Sequence, residues 1–143
     1  MKVKEFMTKD IIWAKPNDSV STIAKLMNDN HIGSVPICDD DENIVGIITD
    51  RDIILRSIAW DKDIKTTIVT DIMTTDVTTV SPDTDLWDAN KLMADYQIRR
   101  LPVVDDNKIV GMLSIGDIYR SSKSDSKEVG HTMECICDKS NNY

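Results

Sequence analysis

Apolar residues recur at helical spacing in two stretches, first Val20, Ile23, Ala24 and Met27, then Leu86, Ala89, Leu92 and Met93. That spacing turns one face of a helix inward, so it predicts helices over about residues 19–30 and 85–96. Each stretch follows a proline, Pro16 or Pro82, and a polar pair, Asp18-Ser19 or Asp83-Thr84, able to cap a helix start. Two β-rich apolar runs come next in each case. They cover 35–38 and 44–48, then 101–104 and 109–113, are bounded by acidic turns, and predict the strands of a hairpin. A further helix is expected from Asp50 and again from Ile115.

The two halves are one pattern written twice. Val3-Lys4-Glu5-Phe6-Met7-Thr8 returns as Val69-Thr70-Asp71-Ile72-Met73-Thr74, Val35-Pro36-Ile37 as Leu101-Pro102-Val103, and Ile44-Val45-Gly46 as Ile109-Val110-Gly111. Each copy is expected to fold as β-α-β-β-α. Such a unit has one sheet face without cover, and packing two copies sheet to sheet buries both. The fold class expected is therefore α/β (α+β), with the two repeats related by pseudo-twofold symmetry. Repeat 1 spans 1–60, a linker 61–68, repeat 2 69–122 and a partly helical tail 123–143.

Composition narrows the function. Lys+Arg 17 against Asp+Glu 25 leaves a net charge of −8. A nucleic-acid binder needs a basic stripe to neutralise phosphates, and an anionic membrane surface attracts basic segments, so neither partner is expected. No apolar run approaches the roughly 20 residues that span a bilayer, and Met1-Lys2-Val3-Lys4-Glu5 lacks an apolar signal core. Three cysteines do not make a disulfide framework, and a cytoplasmic location is expected.

The most informative segments are Gly46-Ile47-Ile48-Thr49-Asp50-Arg51-Asp52-Ile53 and Gly111-Met112-Leu113-Ser114-Ile115-Gly116-Asp117-Ile118. Upstream lie His31-Ile32-Gly33-Ser34-Val35-Pro36-Ile37 and Gln97-Ile98-Arg99-Arg100-Leu101-Pro102-Val103. This ordered set, in duplicate, resembles the cystathionine-β-synthase (CBS) domain pair over about residues 3–122. The linker, with Trp60 and Thr66-Thr67, is similar to that of stand-alone bacterial tandem-CBS proteins. The resemblance implies a flat module with two clefts that bind adenosyl compounds, mostly AMP, ADP or ATP and sometimes S-adenosylmethionine. It also implies a homodimer formed through the repeat helices.

By that resemblance, Thr49 and Asp52, and Ser114 and Asp117, supply a hydroxyl and a ribose-binding carboxylate. Ile11, Ile32, Ser34 and Pro36 line one adenine slot, and Val77, Ile98, Arg100 and Pro102 the other. The chemistry fits, since a carboxylate accepts hydrogen bonds from a cis-diol and an arginine fork pairs with phosphate. Thr49-x-x-Asp52 and Ser114-x-x-Asp117 equally fit a capping box at a helix start, and the two roles can coexist. The copies differ in their basic residues. The first has Arg51 where the second has Gly116, and the second has Arg100 where the first has Ser34. Both arginines are expected to face the central cleft as phosphate partners, with unequal sites and AMP or ADP favoured over ATP because Asp50 opposes a polyphosphate.

An enzyme is not expected. The only imidazoles are His31 and His131, and there is no catalytic triad, phosphate-cradling loop or carboxylate pair. No cofactor is required beyond the regulatory nucleotide. An interaction module with degenerate nucleotide sites, or with a metal-binding Cys-x-Cys tail, is the alternative. In the tail, Asp125-Ser126 can start a helix with Val129, Met133 and Ile136 on one face. His131, Cys135 and Cys137 suggest soft-metal ligands but lack the usual zinc spacing, so no metal is assigned. Cys38 reads as a small buried hydrophobe, and Trp13, Trp60 and Trp87 as core or interface residues.

Overall fold

Ser19 and Asp85 begin the two long helices by the expected means, each accepting a backbone N–H of the first turn. Ser19 Oγ accepts from Thr22 N at 3.1 Å and Asp85 Oδ1 from Trp87 N at 2.9 Å. The computed structural model describes residues 1–121 and 126–138. In it the helices are α1 (Val20–Asn30) and α3 (Leu86–Tyr96). The residue before each cap holds the proline turn instead. Asp18 accepts from Lys15 N and Thr84 from Ser81 N, so Asp83 and Thr84 do not cap α3. Both helices end in a left-handed residue, His31 and Gln97.

The hairpins are β1 (Ser34–Cys38) with β2 (Ile44–Thr49), and β3 (Arg100–Asp105) with β4 (Lys108–Ser114). Both pairs are antiparallel, with Pro36 opposite Ile47 and Pro102 opposite Met112. Short helices α2 (Asp50–Arg56) and α4 (Ile115–Ser121) follow directly. The expected first strand of each repeat is reduced to a single parallel bridge, Ala14 to Ile37 and Val80 to Val103.

The chain divides into two compact units that do not follow the order of the repeats. Unit I joins Met1–Ile11 to the chain from Thr78 onward, and unit II is Ile12–Val77. The opening segment of each repeat thus sits in the unit built mainly from the other. In unit I, Val3 is fully buried beside Leu86, Met93, Leu101 and Leu113. Val3 N donates to Thr84 O at 2.9 Å, and Thr8 pairs with Met112. Unit II repeats the arrangement. Val69 is fully buried with Val20, Ile23 and Ile48, Val69 N donates to Asp18 O at 2.8 Å, and Thr74 pairs with Ile47.

The exchanged segments need glycine on the receiving strand. A Cβ at Gly46 would lie 2.5 Å from Met73 Sδ. One at Gly111 would lie 2.7 Å from Met7 Sδ and 2.9 Å from the carbonyl oxygen of Thr8. In unit I the tail forms α5 (Ser126–Asp138), which packs on α3 and α4. Its buried face carries Val129, Thr132 and Ile136. Thr132 donates to Asn90 Oδ1 at 3.0 Å, and Gln97 donates to Cys135 O at 3.1 Å. The start expected at Asp125 lies outside the described residues. Trp13 is half-buried and Trp87 packs against the unit I core, but Trp60 is 74% exposed and belongs to no core. Among the described residues no helix is long and apolar enough to cross a membrane.

Gly111→Ala is expected to cost about 1–3 kcal/mol in a urea melt, because the Thr8 backbone cannot swing aside. Gly46→Ala should cost less, since its neighbour is a flexible methionine end. A second expectation concerns Cys38, which is fully buried, with burial first and the charges of Asp39 and Glu42 next pushing its thiol from 9.0 up to about 11. The protonated thiol is favoured by folding, so its contribution is complete below pH 9 and lost as pH rises toward 11. In native protein at pH 8, Cys38 should resist iodoacetamide while the exposed Cys137 reacts. Equal labelling would refute the burial.

Candidate functional site

Thr49 and Ser114 each stand at the junction of the second hairpin strand and the short helix after it. The junction is a reciprocal cap in both units. In unit II, Thr49 N donates to Asp52 Oδ2 at 3.0 Å and Asp52 N donates to Thr49 Oγ1 at 3.1 Å. In unit I, Ser114 N donates to Asp117 Oδ2 at 2.8 Å and Asp117 N donates to Ser114 Oγ at 3.1 Å. The capping reading of these pairs is therefore realised. Each cap uses Oδ2 of its carboxylate and leaves Oδ1 to other donors.

The groups that pair with Oδ1 are arginines that the repeat comparison did not single out. Arg56 Nε lies 3.6 Å from Asp52 Oδ1, one helical turn back. Its Nη1 also donates to Ile72 O at 3.1 Å and to Thr74 Oγ1 at 3.3 Å. Arg56 is thus a strut between α2 and the segment that completes unit II. Arg120 Nη2 reaches Asp117 Oδ1 at 2.5 Å. Its side chain is 70% exposed, whereas that of Asp117 is 13% exposed and that of Asp52 only 7%. Helical spacing after each aspartate was the signal available for both arginines.

The remaining candidates fall as follows. In unit II, Ile32 and Ser34 are half-buried and Pro36 is buried, on the approach to and along β1, which pairs Ser34 directly with Thr49. Arg51, on the first turn of α2, is exposed. In unit I, Ile98 and Pro102 are buried, and Arg100 is exposed opposite Ser114 across the hairpin. Each unit thereby gathers its β-strand candidates beside its Ser/Thr-x-x-Asp cap. Ile11 ends the opening segment of unit I and Val77 ends unit II, so neither shares a unit with the strand residues it was grouped with. On α5, Cys135 Sγ lies 3.7 Å from His131 Nε2. Among the described residues no three metal-ligating side chains come together.

The duplicated cap, hairpin and glycine order is matched by the family model of the CBS domain at residues 3–58 and at 69–124. The chain belongs to the CBS-domain family. The CBS domain-containing protein YhcV of Bacillus subtilis is 39% identical over 116 residues, spanning 81% of each chain. The solved CBS pair of protein MJ0100, in complex with 5-methylthioadenosine and S-adenosyl-L-methionine, is 34% identical. It superposes with a TM-score of 0.76 over 85% of this chain and 94% of its own. Hypoxic response protein 1 of Mycobacterium tuberculosis is 26% identical over 82% of each chain. Its structure, described with two coordinated zinc ions, gives a TM-score of 0.78 over 84% of this chain and 98% of its own.

The two CBS arginines should behave differently. Arg56→Met removes hydrogen bonds to Ile72 and Thr74 and is expected to lower stability by about 1 kcal/mol in chemical denaturation. Arg120→Gln breaks one exposed pair and should stay within about 0.5 kcal/mol of the parent. Equal losses would show that Arg120 is also a strut.

Proposed function

We propose that this CBS pair is a non-catalytic regulatory module that binds an adenine nucleotide, AMP or ADP in preference to ATP. The observation that carries the reading is the Ser114/Asp117 element. Its hydroxyl and carboxylate are held rigidly by their mutual cap, are only half-buried, and lie beside the buried Ile98 and Pro102 and the exposed Arg100. A ribose cis-diol can donate to such a carboxylate, and a purine face can rest on apolar strand residues. The MJ0100 pair, solved with two adenosyl compounds, supports the same ligand class here. The exposed Asp50 in unit II and, for both units, a net charge of −8 oppose a longer polyphosphate.

Asp52 and Thr49 are buried, so unit II is the weaker site. That burial also favours the second reading, an interaction module, for unit II alone. Binding in unit I shifts the balance between conformations that a protein partner reads. A homodimer through the repeat helices is supported by the exposed Ile54, Leu55 and Ile58 on and after α2. All three cysteines are free, which supports a reducing, cytoplasmic setting. Neither His31, at the left-handed end of α1, nor His131, on α5, lies on a Ser/Thr-x-x-Asp cap, which supports a module without a catalytic base.

Titration with AMP, ADP, ATP and adenosine by calorimetry and thermal shift tests the reading. At one hundred times the dissociation constant, AMP should add about 2.7 kcal/mol of stability. No stabilisation by any of the four removes the proposal, and a clear preference for ATP removes its choice of nucleotide.

A further inference from the structure

Unit I carries a cation inside its Ser-x-x-Asp element that no aligned position supplies. In unit II the residue between Thr49 and Asp52 is Arg51, and its counterpart in unit I is Gly116. The missing side chain leaves room, and Arg120 uses it. A Cβ at Gly116 would lie 3.3 Å from Arg120 Nη1, 3.8 Å from Arg120 Nη2 and 3.5 Å from Ser114 Oγ. Helix side chains lean toward the N-terminus, so a residue on the last turn of α4 covers the turn before it. The guanidinium therefore lies over Gly116, beside Ser114, with Nη2 on Asp117 Oδ1.

We infer that Arg120 is the phosphate-recognising residue of unit I, held on Asp117 until a nucleotide arrives. The assignment rests on the adenosyl reading above and deepens it. Asp117 Oδ2 is committed to the cap, so Oδ1 is the oxygen open to exchange. When the ribose hydroxyls donate to Oδ1, Arg120 turns its fork to the 5′-phosphate, and neither group is left unpaired. Arg120 is free to do so, because Asp117 is its partner among the described residues and its side chain is 70% exposed. Arg56 cannot, because Ile72 and Thr74 also hold it. The ligand class that follows is an adenosine carrying a 5′-phosphate, in preference to adenosine itself.

The experiment is an NMR titration of the full chain with AMP and with adenosine. The amides of Ser114 and Asp117 report unit I, and those of Thr49 and Asp52 report unit II. In the parent chain AMP should bind more tightly than adenosine at the unit I amides. Arg120→Gln should weaken AMP there by about tenfold and leave adenosine unchanged. Arg120→Lys should restore part of the loss, and Arg51→Gln should not move the unit I amides. An unchanged ratio of AMP to adenosine affinity in Arg120→Gln overturns the assignment while the adenosyl reading stands. So does an equal gain for both ligands, which would make Arg120 only a competitor for Asp117. Absence of shifts with both ligands in the parent chain removes the adenosyl reading and this assignment together.

Discussion

Val3 and Val69 are each fully buried in a core whose other members come mainly from the opposite repeat. The constraint behind this is simple. A short hairpin with one long helix and one short one buries too little apolar surface to repay the entropy of ordering it. Each unit closes only when the opening segment of the other repeat supplies its last apolar residues and edge bonds. Thr8 against Met112 and Thr74 against Ile47 are those edge bonds, and the glycines at 111 and 46 are what let the incoming methionines settle. The exchange also fixes the reading frame of each strand. A one-residue slip would put a side chain where the methionine must sit.

The Ser/Thr-x-x-Asp element inherits its position from that frame. It lies where β2 and β4 end, immediately after the strands that receive the exchanged segments. The cap is worth about 1 kcal/mol to each helix start, enough to hold the hydroxyl and carboxylate in place without any ligand. The cap occupies Oδ2 alone, so it leaves Oδ1 for the ribose contact proposed above. A site built this way is preorganised and loses little rotamer freedom on binding.

Much of this was readable in the residues themselves. The helical spacing of Val20, Ile23 and Met27 and of Leu86, Ala89 and Met93 located α1 and α3, and the paired apolar runs located both hairpins. The exchange was not readable. Aligning Val3 with Val69 says that the segments are equivalent but not which core each one enters, because a swap leaves every local pattern unchanged. The first strands failed to form as strands because one bridge at Ala14 or Val80 satisfies the segment there. Arg56 and Arg120 were hidden for another reason. They stand four and three residues beyond their aspartates, so they do not align with each other, although both reach the same carboxylate atom.

That misalignment bears on how duplicated sites diverge. Unit II keeps its cation between Thr49 and Asp52, as Arg51, and turns the arginine of the last turn into a strut. Unit I has glycine in that place, and the arginine of the last turn lies back over it. One position carries a side chain where the other has none, yet in each unit an arginine of the last turn reaches the carboxylate. The difference is in what each guanidinium is bound to. In unit II the arginine beside the carboxylate is fixed by Ile72 and Thr74, and the carboxylate is buried. In unit I the arginine is 70% exposed and Asp117 holds it. Two equivalent elements can thus differ in whether the arginine on the carboxylate is tied to the backbone of another segment, with the same Ser/Thr-x-x-Asp signature in both.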